Sequence, residues 1–169
     1  MAAGEIFQAL QSGTLDAAEF VGPYNDLALG FHQVAKNYYM PSFVESGLAT
    51  ELVVDKKKYQ ELPEDLQAII RDVSQAEYDQ VAADFYANDP RALKTLVEEH
   101  GVTVRNFPDD IMEAGAKASV EVVEELRNSD DPLVKKTADS FVEALNLVRT
   151  RTENIDSPYI QARQSFLKY

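Results

Sequence analysis

GEIFQALQSGTLDAAEFVGPYNDLALGF, residues 4–31, is divided by two turn points into a short helix, a small-residue segment and a second helix start. Residues 5–10 read as a helical turn that closes at Gly13. Residues 16–21 mix small, acidic and apolar side chains before Gly22 and Pro23 end the run, which predicts a short strand or a strand-to-loop segment. Pro23 is preorganised for a first helical turn, so a helix is expected over residues 24–36.

Within this stretch Glu19 differs from the chain's other acids. It lies among Ala17, Ala18, Phe20 and Val21, directly before the Gly-Pro turn, and on that setting its carboxylate is expected to be at least partly buried. A buried acid must be paired, hydrogen-bonded or bound to a cation, or else it stays protonated. Glu45, among Phe43, Val44 and Gly47, is the second candidate. Two carboxylates from separate loops, together with backbone carbonyls, supply the hard oxygen donors that Na⁺ or Ca²⁺ requires. Spacing alone leaves the pairing open, because loop acids ordinarily face water.

Further along, Tyr38, Tyr39 and Met40 precede Pro41, and residues 48–54 alternate loosely and end in β-branched side chains, so two strands are expected in this region. Asp55 caps a short helix running to Leu62, and Pro63 followed by Glu64 and Asp65 signals another helix. Leu66, Ile69, Ile70, Val73, Val81 and Phe85 keep helical spacing until Asp89-Pro90, where a break or kink is expected. A further helical stretch over residues 91–100 then ends at Gly101, and residues 102–104 read as a short strand. Asp109 and Asp131 cap two more helices, the second with an apolar stripe of Val134, Ala138, Phe141, Leu145 and Val148. Beyond a Ser157-Pro158 boundary, a short helix bears Tyr159, Ile160, Phe166 and Leu167 and needs a partner surface.

The 169 residues suit one domain, or one lobe of a two-lobed protein, and no repeat or low-complexity linker divides them. The fold class expected is α/β and helix-rich, with residues 1–169 as a single domain. Sixteen basic against 29 acidic residues give a net charge of -13, which repels phosphate backbones and argues against nucleic-acid binding. The same charge favours a cation beside any anionic small ligand. With no cysteine, thiolate metal sites and cysteine nucleophiles are excluded. His32 and His100 match no metal-ligand spacing, and GxSxG, GxGxxG and GxxxxGK[ST] are all missing. The opening MAAGEIFQAL lacks a charged n-region followed by an apolar core, so no export signal is expected in the chain as written.

The "ALQxGxxDA" helix and turn, the acid-aromatic-x-G-P segment and the tyrosine-rich stretch ending in a loop acid together resemble the solute-binding subunits of tripartite ATP-independent periplasmic (TRAP) transporters. The specific motifs run from Gly4 to about Glu45, and a looser similarity continues to Tyr169. Within that family the sequence is most similar to the branch that binds 2-oxo acids or lactate with a metal ion. The resemblance implies one lobe of a type II periplasmic-binding-protein-like fold with long C-terminal helices, located in the periplasm. It implies that the Glu19 carboxylate, the Phe20 carbonyl and the Glu45 carboxylate hold Na⁺ or Ca²⁺, and that Phe20 and Glu45 also meet the ligand. Phe20 stands where some relatives place tryptophan. The family grips the ligand carboxylate with an arginine from a preceding lobe, which is expected to lie outside this chain, and Arg71, Arg91 and Arg105 are not promoted to replace it.

The implied partners are a small organic acid, the TRAP membrane permease subunits and a second copy joined through the C-terminal helix. The expected function is non-enzymatic delivery of a 2-oxo acid such as pyruvate, or of lactate, to the permease. The competing expectation is a truncated lobe that serves as a self-associating structural domain. A third, an acid-base enzyme built on Glu19 and Glu45, has weaker support, since no nucleophile or histidine base accompanies them.

Overall fold

The computed structural model describes residues 1–42, 47 and 51–167, which form two compact units, Met1–Pro108 and Asp109–Tyr169. In the first unit, α1 (Ile6–Gln11) closes at Gly13, whose φ of 73° is the left-handed conformation that glycine adopts without steric cost. Residues 16–21 form no strand; they run as an irregular segment into α2 (Pro23–Ala28). The helix stops short of the expected Lys36 because Gly30 takes φ 74° and turns the chain into a 3-10 turn over Phe31–Gln33.

Strand β1 (Asn37–Tyr39) follows, and its partner β2 (Thr103–Arg105) lies parallel to it with Tyr38 opposite Val104. The Arg105 guanidinium donates to Asn37 Oδ1 at 2.7 Å across the pair. A second strand at 48–54 does not appear in its described part: Leu52 and Val53 sit in irregular chain, 63% and 79% exposed, and no strand among the described residues pairs with their backbone. Residues 48–50 of that expectation lie outside the described residues.

Asp55 accepts from the Lys58 amide at 2.9 Å and caps α3 (Lys56–Gln60), as its side-chain chemistry predicts. Helix α4 (Glu64–Glu98) starts behind Pro63 with Glu64 and Asp65 against its positive end. It does not break at Pro90. The residues beyond the proline, Ala92 and Leu96, are buried at 4% and 1% exposure, and this packing holds the helix through a position that local propensity disfavours. Ile6, Ala9 and Val102 complete the small apolar core of this unit. Gly101, at φ 66°, then turns the chain from α4 into β2.

The second unit is all helix. Helices α5 (Asp109–Arg127) and α6 (Pro132–Arg151) form a hairpin, with Asp131 capping α6 through the Leu133 amide at 2.8 Å. Arg127 meets Asp139 at 3.0 Å and Glu124 at 2.8 Å, and this pairing holds the Asp139 carboxyl below its ordinary range. The short C-terminal helix begins at Ser157-Pro158, as expected. A π-helical turn over Thr152–Asp156, rather than a loop, joins α6 to α7 (Ser157–Phe166), and Pro158 falls in the first turn of α7. Tyr159 and Phe166 are 66% and 83% exposed. The fold is therefore helix-rich with a small parallel sheet, as expected. No helix among the described residues is long and apolar enough to cross a membrane.

Candidate functional site

Glu19 and Phe20 stand side by side on the irregular segment between α1 and α2. The Glu19 side chain is exposed, contrary to the burial expected from its apolar neighbours. Among the described residues its carboxylate takes part in no hydrogen bond or ion pair. Phe20 is half-buried, its ring edge-on to Phe31 with centroids 5.5 Å apart, which fixes the backbone at that point. Glu45 lies outside the described residues.

The buried acid of this region is Asp26 instead, at 8% exposure on α2. The Tyr38 hydroxyl donates to its Oδ2 at 2.5 Å, while its Oδ1 has no partner among the described residues. Burial raises the Asp26 carboxyl above its ordinary range; the Tyr38 bond opposes this, and the negative charges of Asp89 and Glu19 add to it. Burial and the bonded Asp26 likewise push the Tyr38 phenol up, with Asp89 and Glu19 contributing. Asp89, on α4, accepts from the Tyr24 amide at 3.0 Å and so anchors the first turn of α2. A side chain at Gly22 would come within 3.4 Å of that carboxylate.

Asp26 thus sits in the negative field of Asp89 and Glu19, and the exposed carboxylate of Glu19 and the carbonyl of Phe20 are hard oxygen donors of the kind Na⁺ and Ca²⁺ take. The donor chemistry fits such a cation, but these groups do not make a finished cage. No cluster of three or more His, Asp or Glu side chains placed to hold a metal occurs among the described residues. Arg71 pairs with Asp72, Arg91 with Asn88, and Arg105 with Asn37, so each of the three arginines is engaged locally. Sequence reasoning missed Asp26, Tyr38 and Asp89. Asp26 was legible only as a first-turn acid of α2, and Asp89 only as half of an Asp-Pro dipeptide.

The exposed Glu19 carboxylate and the Phe20 carbonyl thus place hard oxygen donors on an open segment of a helix-rich α/β unit. The chain belongs to the DctP family, bacterial extracellular solute-binding protein family 7, whose profile matches residues 1–130. It is 32% identical over 127 residues to a monocarboxylate 2-oxoacid-binding periplasmic protein of Nostoc sp., a match covering 75% of this chain and 35% of that protein. The structure of a TRAP periplasmic solute-binding protein from Pseudoalteromonas atlantica with bound sodium and pyruvate superposes with a TM-score of 0.79 at 29% identity, covering 95% of this chain and 49% of that one. A TRAP solute-binding protein from Bordetella bronchiseptica, a mixed-occupancy dimer with copurified calcium and picolinate, superposes with a TM-score of 0.69 at 28% identity, covering 96% and 50%. The chain therefore spans about half the length of these solved structures and about a third of the curated relative.

Proposed function

We propose that this chain forms one wall of the ligand site of a TRAP solute-binding protein, which takes up a small 2-oxo or 2-hydroxy monocarboxylate together with Na⁺ or Ca²⁺ in the periplasm. It then delivers the acid to membrane permease subunits without chemical change. The observation that carries this reading is the exposed Glu19 carboxylate beside the ring-anchored Phe20 backbone, in a member of a solute-binding family whose relatives bind such acids.

The Glu19 carboxylate, the Phe20 carbonyl and the Glu45 carboxylate are assigned as the cation's holders, with Phe20 and Glu45 also facing the acid. When bound, the cation supplies attraction for the acid's carboxylate and its adjacent oxo or hydroxy oxygen. Glu19 is suited to its role because no protein donor competes for it among the described residues. The net charge of -13 makes unassisted entry of an anion unfavourable, so acid and cation are expected to bind cooperatively. The chain is assigned to the C-terminal lobe and following helices of the family, and the facing wall to the part of its relatives that it does not span. A homodimer through α7 accords with the exposed Tyr159, Ile160 and Phe166.

Calorimetric titration of pyruvate and lactate into the intact protein with Na⁺, with Ca²⁺ and with neither tests the reading. Binding heat that requires a cation supports it. Equal binding without any cation contradicts the metal-bridged site, and silence accompanied by oligomerisation favours a self-associating structural domain.

A further inference from the structure

The Glu19 and Phe20 segment is anchored at its far end by α2, and α2 is itself secured in three places. Asp89 accepts from the Tyr24 amide at 3.0 Å, the Tyr24 ring meets Phe85 edge-on at 6.1 Å, and Asp26 accepts from the Tyr38 hydroxyl at 2.5 Å. The first two tie α2 to α4. The third joins it to β1, and no other hydrogen bond between α2 and β1 occurs among the described residues.

A buried acid is a costly way to make such a link. Oδ1 of Asp26 is left without a partner among the described residues, and an apolar pair of similar volume would hold the two elements together at lower cost. What the hydrogen bond adds over an apolar contact is a fixed direction and distance. We propose that Asp26 and Tyr38 are positioning residues for the cation site: their bond fixes the Glu19 and Phe20 segment relative to β1, and so sets the spacing at which that segment meets a cation. This inference rests on the cation site proposed above.

Two variants separate geometry from charge. Tyr38→Phe breaks the bond and keeps the Asp26 charge, whereas Asp26→Asn keeps an acceptor for Tyr38 and removes the charge. Each is titrated with Ca²⁺ and with Na⁺ in the intact protein, beside melting curves of the cation-free form. Tyr38→Phe is expected to weaken Ca²⁺ binding about tenfold and to alter the ratio of Ca²⁺ to Na⁺ affinity, an effect a merely structural bond would not have. Asp26→Asn is expected to keep the wild-type ratio. Should Tyr38→Phe fail to fold, Asp26→Leu combined with Tyr38→Phe removes the bond without an orphaned carboxylate and is expected to show the same altered ratio. Unchanged Ca²⁺ and Na⁺ affinities in the bond-breaking variants overturn the inference, as does an equal loss in Asp26→Asn. No cation binding by the wild type overturns the site reading itself and the positioning role with it.

Discussion

Asp26 is ionised at a cost in the folded chain, since burial raises its carboxyl and one oxygen has no donor among the described residues. Because its folded pKa lies above the unfolded value, the penalty is present above the folded pKa and fades as pH falls through it. Asp26→Asn is therefore expected to stabilise the fold at neutral pH and to lose that advantage in mild acid, as read by urea unfolding at two pH values. His32 behaves oppositely. Its ring stacks on His100 at 3.9 Å, and burial first, then His100 and Lys36, hold it below the ordinary histidine range. Stability is then complete above the unfolded value of about 6.5 and is lost as pH falls from there toward the folded value. Melting curves taken on either side of that value should show His32→Gln less sensitive to acid than the wild type. The sequence put the candidate site on the Glu19 and Phe20 segment, and it expected the wrong carboxylate of this region to be buried. Ala17, Ala18, Phe20 and Val21 made Glu19 look buried, yet burial in a short irregular segment depends on what packs over it, and that is decided by distant elements such as α4.

Among the elements, those with a local chemical cause were readable. Asp55 and Asp131 cap helices through their own side chains, and Gly101 supplies the left-handed residue after α4. The misread features are those in which packing overrides local preference: α4 continues through Pro90 because Ala92 and Leu96 are buried beyond it, and residues 51–54 have strand-like composition but no partner strand among the described residues. Leu96→Ala should accordingly cost about 3 kcal/mol in urea unfolding, the usual scale for emptying a fully buried leucine site. Asp131→Ala, which deprives the Leu133 amide of its acceptor, should cost about 1 kcal/mol and reduce the helical circular dichroism of the second unit.

At the scale of the whole molecule, family membership, acidic charge and an exposed oxygen-donor segment point the same way. A net negative field disfavours entry of an unaccompanied anion, and Glu19 is an exposed acid of the candidate segment with no hydrogen bond or ion pair among the described residues. The chain spans only about half of the solved relatives, and the facing wall is proposed to lie in the part that it does not span. The central claim is that the acid is bound through a cation held by Glu19. Its most direct test is the pyruvate affinity of the intact protein measured across a range of Ca²⁺ concentrations, for the wild type and for Glu19→Gln. The account predicts that wild-type affinity rises with Ca²⁺ to a plateau and that Glu19→Gln is at least about tenfold weaker at every concentration along that rise. A pyruvate affinity that ignores Ca²⁺, or that is the same in Glu19→Gln as in the wild type, would contradict it.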